Sequence, residues 1–180
     1  MSRISMLLAW LLLVAALPAD LVAQEKEASP EAKAMIKDAL SAATPTMAKN
    51  ATVIDWENNV LKKGDNGWIC FPTPPGLKNA AMCFDEPWLA WADGWMNKKD
   101  VNINRVGISY MLAGDAGASN SDPYATSEEE VDDWVKTGPH LMIIVPDPGM
   151  LEGIPTDPEN GGPWVMWSGT PYVHIMVPLD

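Results

Sequence analysis

The sequence predicts an α+β protein with a mainly antiparallel sheet, an N-terminal helix and a Trp-rich central helix. Apolar residues recur at helical spacing in two separate segments, one after residue 30 and one after residue 85. Short apolar runs separated by Gly, Pro, Asn and Asp fill most of the remaining chain, as is typical of strands and turns. The order of helix, strands, helix and strands is most naturally that of an α+β domain.

The domain organisation starts from the first 23 residues, which are typical of a secretory signal peptide. Arg3 gives a positive start, an apolar run covers 4–16, and Leu21-Val22-Ala23 offers a cleavage site. We expect 24–50 to form a leader and helix, and 51–180 to form a single α+β domain. The alternative is an uncleaved anchor, although the run is shorter than the roughly 20 residues that span a bilayer. No later segment of the sequence is apolar enough to do so, and we expect no transmembrane segment in the mature chain.

The first helix begins at Ser29, a typical N-cap, with Pro30 at its first position. Apolar residues at helical spacing continue to Ala43, and Thr44-Pro45 ends the helix. A β-meander is expected next, with strands over 53–56, 60–62 and 67–71 and strong turn residues between them. The chain between the two cysteines is rich in Pro and Gly and is predicted to be irregular.

The central helix begins at Asp85, another typical N-cap, with Glu86 and Pro87 in its first turn. It carries an aromatic stripe at positions i, i+3 and i+7, formed by Trp88, Trp91 and Trp95. Such a stripe is more often core than a ligand-binding face, because each ring buries about 150–250 Å². Both interpretations stay open at this point: a buried core, or a Trp-rich surface that binds a glycan or a protein partner.

The second half of the chain alternates strands with long loops. Residues 105–112 form a half-buried strand in which Val106, Ile108, Tyr110 and Leu112 alternate with Gly107, Ser109 and Met111. A long loop follows over 113–139, with a short helix over 127–135 that points Trp134 inward. A strand over 140–145, a Pro- and Gly-rich loop over 146–163, and a closing hairpin over 164–177 complete the domain.

The protein is acidic, with a formal net charge of −12. Arg3 and Asp20 cancel within the signal peptide, so the mature chain keeps this charge. Nucleic acid and anionic membranes would repel it, which argues against both as partners. A metal ion or another cationic partner is compatible with the charge, as is solubility alone. The acidic residues of 128–133 lack the ligand spacing of an EF-hand and are expected to be a solvated face.

The two cysteines, Cys70 and Cys83, enclose a loop of twelve residues. In an oxidising compartment they are expected to pair as a disulfide, which stabilises by about 3 kcal/mol for a loop of this size. A redox or metal-binding pair is the alternative, but the spacing is not that of Cys-x-x-Cys.

Several stretches resemble an uncharacterised family of small exported bacterial proteins. They are Asn66-Gly67-Trp68 running into Cys70, Asp122-Pro123-Tyr124-Ala125, Gly138-Pro139-His140-Leu141-Met142, and 160–164 through 174–178. The resemblance covers most of the mature chain and implies a periplasmic or secreted protein. It supplies no activity and no site residues.

No common enzyme signature is present. The sequence lacks G-x-S-x-G, H-E-x-x-H, a P-loop and G-x-G-x-x-G. With 24 acidic residues, a hydrolase that uses a carboxylate pair stays open. We therefore do not predict an enzyme.

The two histidines carry the most specific functional hypothesis. They occur in near-duplicate strands, Pro139-His140-Leu141-Met142 and Val173-His174-Ile175-Met176. Residues i and i+2 of a strand share a face, so neighbouring strands would present two imidazoles and two thioethers together. Thioethers are soft ligands that select Cu(I), and imidazole also suits copper. The sequence therefore predicts a copper site of an exported Cu(I)-binding protein, formed by His140, Met142, His174 and Met176.

This pattern is locally similar to the motif of periplasmic copper chaperones, in which a methionine follows a histidine by about ten residues and a His-x-Met closes the motif. Met150 lies ten residues after His140 and is therefore an alternative ligand. The disulfide, the tryptophans and the long loops depart from that family. The chain also contains eleven methionines, which makes chance His-x-Met pairs common, and Met often fills gaps in cores. A purely structural role of the two strands is the competing interpretation.

Overall fold

The computed structural model describes residues 29–179; the predicted signal peptide and the cleavage site lie outside them. The described chain forms three α-helices, one 3-10 helix and ten short strands. The helices are α1 (Pro30–Leu40), α2 (Pro45–Asn50) and α3 (Glu86–Met96), and the 3-10 helix is Pro148–Leu151. The strands are β1 (Thr52–Ile54), β2 (Val60–Lys62), β3 (Ile69–Phe71), β4 (Met82–Phe84), β5 (Gly107–Met111), β6 (Ala118–Ser119), β7 (Trp134–Val135), β8 (His140–Ile144), β9 (Trp164–Met166) and β10 (His174–Pro178).

Eight strands form one sheet in the order β2-β1-β3-β4-β5-β8-β10-β9, and β6 pairs with β7 in a separate ribbon. Within the large sheet only β1 and β3 run parallel, whereas all other neighbours are antiparallel. The predicted α+β class with a mainly antiparallel sheet is confirmed.

The two faces of the sheet carry different layers. On one face, α1 and α2 pack on a cluster of small apolar residues around Val53, Cys70 and Cys83. On the other face, α3 covers a larger aromatic cluster that includes Phe84, Trp88 and Trp91. The alternation of side chains along β3 and β4 explains the division, because Cys70 and Cys83 point to one face while their strand neighbours point to the other.

Strand β5 shows which face the larger core occupies. Gly107, Ser109 and Met111 are its buried residues, whereas Ile108 and Tyr110 are only half-buried. The sequence predicted a half-buried strand here. Its more deeply buried face carries Gly107 and Ser109, which are smaller and less apolar than Ile108 and Tyr110 on the other face. The small Gly107 and Ser109 allow α3 to lie close to the sheet.

The predicted β-meander is wrong in topology. Strand β1 lies between β2 and β3 and is parallel to β3, so the chain crosses back over the end of β1 after β2. Gly64 makes this crossing possible, because a Cβ at this position would lie 2.1 Å from the Asn50 carbonyl oxygen. The sequence signals the turn at Gly64 but not the side of β1 on which the chain emerges.

Three further local predictions need correction. Thr44 was predicted to end the first helix, but it is the N-cap of α2. Its side chain accepts a hydrogen bond from the Met47 N–H. The cysteine loop is not wholly irregular, since it ends in β4. The short helix over 127–135 is absent, and Trp134 lies in β7 instead. Side-chain bonds such as Ser119 Oγ to Asp133, at 2.7 Å, compete there with helical backbone bonds.

Other predicted elements are confirmed. Ser29 and Asp85 cap α1 and α3 as expected, by accepting hydrogen bonds from the N–H groups of Ala32 and Trp88. The closing hairpin forms between β9 and β10. Cys70 and Cys83 form the predicted disulfide between directly paired positions of β3 and β4. None of the helices formed by residues 29–179 is long and apolar enough to cross a bilayer.

Candidate functional site

The two His-x-Met segments lie on neighbouring strands and point to the same face of the sheet. Strands β8 and β10 pair antiparallel, with Met142 directly opposite Met176. Directly opposed residues of an antiparallel pair share a face, with their Cβ atoms about 5 Å apart. This face is the one covered by α3, where Met176 is 1% exposed. Neighbouring strands and a shared face were both required by the copper hypothesis.

The register nevertheless separates the two imidazoles. His140 lies opposite Pro178, and His174 lies one step beyond the Ile175–Ile143 end of the ladder, four residues before Pro178 on β10. At about 3.4 Å per residue this places their Cα atoms roughly 13 Å apart along the strands. The predicted copper set of His140, Met142, His174 and Met176 thus lies on one face, with its two histidines at opposite ends, and it stays a prediction.

His174 is held as a neutral imidazole with one nitrogen available. Its Nδ1 lies 3.0 Å from the Tyr172 carbonyl oxygen and therefore carries the proton that it donates there. Burial lowers the pKa of His174 to about 4, although the hydrogen bond to Tyr172 opposes this shift. The ring packs edge-on against three tryptophans, Trp88, Trp91 and Trp167. The Nε2 lone pair is thereby left without a hydrogen-bond donor among residues 29–179.

His140 repeats the same local arrangement in a different environment. Its Nδ1 lies 2.7 Å from the Gly138 carbonyl oxygen, and its Nε2 is buried without a hydrogen-bond partner among the described residues. The nearest acidic group is Asp115, whose Oδ2 lies 3.9 Å from that nitrogen. This distance is too long for a hydrogen bond. The two histidines are thus duplicates in sequence and in their backbone contacts, but not in what surrounds them.

Asp115 follows β5 and has one oxygen committed to the backbone. Its Oδ1 accepts hydrogen bonds from the N–H groups of Gly117 and Thr137, at 3.0 and 2.9 Å. Burial raises the pKa of Asp115, against the opposing effects of the Thr137 N–H, His140 and the Gly117 N–H. Its Oδ2 accepts no hydrogen bond from residues 29–179.

A cavity of about 340 Å³ lies between α3 and this face of the sheet, and the segment after β5 and strand β7 complete its wall. We call it the Trp–Met cavity. Five tryptophans line it: Trp88, Trp91, Trp95, Trp134 and Trp167. Five methionines also line it: Met82, Met111, Met142, Met166 and Met176. The composition is that of a small-molecule site, which is usually apolar and aromatic with a few polar groups.

Few polar side chains interrupt this apolar lining. Asp115 and His174 lie in the deeper part, whereas Asp122 and Thr126 are exposed residues that also line the cavity. Leu77 is 52% exposed and lines it as well. The cavity therefore reaches the surface near these exposed residues.

The tryptophan side chains also position the cavity wall. Trp95 Nε1 donates to the Pro123 carbonyl oxygen at 3.0 Å, and Trp167 Nε1 donates to the Ser119 carbonyl oxygen at 2.8 Å. The rings of Trp91 and Trp167 stack with centroids 5.9 Å apart. Since Trp88 and Trp91 are 1% and 4% exposed, the stripe on α3 is core rather than an open surface platform.

Several site residues were missed by sequence reasoning. Met166 lies directly opposite His174 on β9, and Met111 lies opposite His140 on β5. Met111 carried a signal, because it has the parity of the buried Gly107 and Ser109. Met166 carried none, since all three residues of β9 are buried. Asp115 had no such signal, since it lies in the loop that follows β5. The alternative ligand Met150 lies in the 3-10 helix and is 61% exposed, away from these groups.

A conventional metal centre is not evident in the described part of the chain, where no three His, Cys, Asp or Glu side chains form a group that could hold an ion. Any metal site on this face would therefore depend on thioether ligands. Comparisons with known proteins add no family: no protein-family model, no curated protein and no solved structure matches this chain.

Proposed function

We propose that this protein is a binding protein that holds a small, mainly apolar molecule in the Trp–Met cavity. The observation that carries the proposal is the cavity itself, about 340 Å³ in volume and lined by tryptophan and methionine. Its size falls within the range of about 300–1,000 Å³ that is common for ligand pockets. Flexible, polarisable methionines adapt to the outline of a ligand, and rigid indoles supply flat contact surface.

The incomplete burial of Met142 supports this proposal. Met142 belongs to a central strand that has β5 on one side and β10 on the other. A side chain at that position would be fully buried if α3 packed directly on it, but Met142 is only partly buried and lines the cavity. The fold therefore leaves apolar surface uncovered at its centre, and a ligand that covers this surface gains its burial energy.

The direct test is binding of an uncharged fluorescent probe, N-phenyl-1-naphthylamine, to the purified protein. We expect saturable binding with enhanced, blue-shifted probe emission. Ala125→Phe should weaken this binding at least tenfold, because Ala125 lines the cavity and the added ring would occupy it. Ala90→Phe is the matched control, since Ala90 is exposed on α3 and does not line the cavity.

Equal probe affinity in the two variants would contradict the proposal, as would the absence of saturable binding to the wild type. Thermal unfolding of Ala125→Phe should be measured in parallel. A folded variant that no longer binds the probe is the expected result.

A second candidate function is Cu(I) binding, and the state of His174 favours it. A metal-binding histidine usually donates its second N–H to a backbone carbonyl, as His174 does to Tyr172. Three thioethers surround His174 on the same face: Met176 two residues along β10, Met166 opposite on β9, and Met142 opposite Met176. All four residues line the Trp–Met cavity, so the proposed ligands are His174, Met142, Met166 and Met176.

A Cu(I) titration against a competing chelator tests this second candidate. We expect one tight site that His174→Asn abolishes, because asparagine keeps the hydrogen bond to Tyr172 but offers no imidazole nitrogen. His140→Asn and Met47→Leu should both retain the site. Met47 is a useful control because it lies in α2 and is buried on the opposite face of the sheet. Unchanged copper affinity in His174→Asn would exclude this site.

We further propose that either function operates outside the cytoplasm, in the periplasm or the medium. The signal-like pattern of residues 1–23 and the Cys70–Cys83 disulfide support this setting.

A further inference from the structure

The charged side chains that line the Trp–Met cavity are all acidic, although most of its surface is apolar. Its charged lining residues are two acids, Asp115 and Asp122, and no Lys or Arg of the described chain lines it. His174 adds no positive charge near neutral pH, because burial lowers its pKa to about 4. The whole protein carries a formal net charge of −12, which raises the local concentration of cations.

The arrangement around Asp115 points to a missing partner. Two backbone N–H groups occupy Oδ1, while Oδ2 has only His140 Nε2 nearby, at 3.9 Å. His140 is fully buried, and its Nε2 has no hydrogen-bond partner among the described residues. Asp115 thus brings to the cavity wall a carboxylate oxygen without a hydrogen bond, and the unpartnered His140 Nε2 lies behind it, outside the lining. A ligand group that donates hydrogen bonds or carries positive charge would satisfy Asp115.

Aromatic faces complete the environment. Five indole rings line the cavity, and an organic cation within about 6 Å of an indole face is attracted by the ring quadrupole. Such an attraction is stronger for a cation that has lost its water shell. Indole faces, a carboxylate and the lack of lining bases together define a preference for positive charge on an apolar body.

We propose that the ligand of the Trp–Met cavity is an organic cation, an ammonium group on a small apolar body, with Asp115 as its counter-charge. This inference rests on the proposed ligand-binding function of the cavity and adds the chemical class of the ligand. Asp122, at the exposed side of the cavity, provides a second carboxylate on the path of entry.

A matched pair of probes tests the charge preference. Choline and 3,3-dimethylbutan-1-ol have nearly the same shape, but only choline is charged. In calorimetric titrations we expect choline to bind at least tenfold more tightly than the neutral alcohol. Benzyltrimethylammonium, a larger cation, should displace N-phenyl-1-naphthylamine from the cavity. Equal affinities of choline and its neutral analogue, or binding of neither, would overturn the inference.

The role of Asp115 is tested by Asp115→Asn, which keeps an oxygen acceptor for the Gly117 and Thr137 N–H groups. We expect it to lower the choline affinity at least tenfold while leaving naphthylamine binding within twofold of the wild type. Asp132→Asn is the control, because Asp132 is an exposed acid that does not line the cavity. An equal loss in both variants would show an effect of overall charge and would overturn the assignment of Asp115.

The outcomes also separate this inference from the proposed function. If the naphthylamine probe binds but choline and its neutral analogue bind equally, only the cation preference fails. If the naphthylamine probe does not bind the wild type, the ligand-binding function itself fails.

Discussion

Gly107 lies so close to Trp88 that a β-carbon on Gly107 would stand 2.9 Å from the Trp88 backbone nitrogen. The same β-carbon would lie 2.8 Å from two side-chain carbons of Ile144. The first turn of α3 therefore rests directly on the backbone of β5. The Asp85 side chain reinforces this contact, since it both caps α3 and accepts a hydrogen bond from the Ile108 N–H at 2.8 Å.

We predict that Gly107→Ala destabilises the protein by about 2 kcal/mol or more, because the helix must move away from the sheet. Chemical denaturation of the purified variant measures the change. Gly162→Ala is the control: its nearest contact would be the Asn160 Oδ1 at 3.4 Å, and its free energy of unfolding should stay within about 0.5 kcal/mol of the wild type. Similar stabilities of the two variants would contradict the close packing of α3 on β5.

Trp88→Ala should cost about 3–5 kcal/mol, the usual range for removal of a fully buried large aromatic side chain. Trp88 is 1% exposed and packs against Phe84, Trp91 and His174. Met96→Ala provides a comparison within the same helix, since Met96 is 58% exposed and its loss should change stability little. If Trp88→Ala unfolds at the wild-type denaturant concentration, the stripe on α3 is not part of the core.

The disulfide between Cys70 and Cys83 should contribute about 3 kcal/mol to the free energy of unfolding. It joins adjacent strands, and the Cys83 sulfur lies 3.8 Å from the Ala39 carbonyl oxygen, on the face covered by α1. Replacement of both cysteines by Ala should lower the denaturation midpoint, and a reductant should have the same effect on the wild type only. A reductant that destabilises the double variant equally would show that the effect lies elsewhere.

Export and the disulfide each predict a change in mass. The protein recovered outside the cytoplasm should be shortened near Ala23, and reduction should add the mass of two protons and two electrons as the disulfide opens. Intact-mass measurement before and after reduction gives both results. Recovery of a full-length chain, or of two free thiols in the secreted protein, would contradict this prediction.

The elements that the sequence predicts well are those marked by local chemistry. Ser29 and Asp85 are caps whose side chains determine where α1 and α3 begin. The closing hairpin follows from apolar runs on both sides of the Ser168-Gly169 turn. The strand order could not be predicted in this way. The position of β1 between β2 and β3 depends on the close approach of Gly64 to the Asn50 backbone, which is a contact between separate parts of the chain.

The candidate site was only half predictable for the same reason. Period-two alternation correctly places Met142 and Met176 on one face, but it contains no information about register. Pairing of His140 with Pro178 places the two histidines four residues apart along the strand pair. The Trp–Met cavity needs still more, since Trp134 reaches it from a two-residue strand that has no periodicity.

His174 makes a specific prediction for the pH dependence of stability. Burial lowers its pKa from 6.5 to about 4, so the unfolded chain binds a proton at a higher pH than the folded one. The free energy of unfolding should therefore fall as the pH drops from about 6.5 to about 4, by about 3 kcal/mol from this residue alone. Asp115 acts in the opposite direction, because its raised pKa favours the folded state at acid pH.

The comparison with His174→Asn isolates this contribution, since the other acidic groups titrate in both proteins. Denaturation curves recorded between pH 7 and pH 4 should show the wild type losing its stability relative to the variant by about 3 kcal/mol across that range. The variant keeps an N–H that can bond to the Tyr172 carbonyl, so the difference reflects protonation rather than a lost hydrogen bond. Parallel pH profiles of the two proteins would mean that the folded state accepts a charged His174. A charged imidazole at the cavity would also repel a bound organic cation.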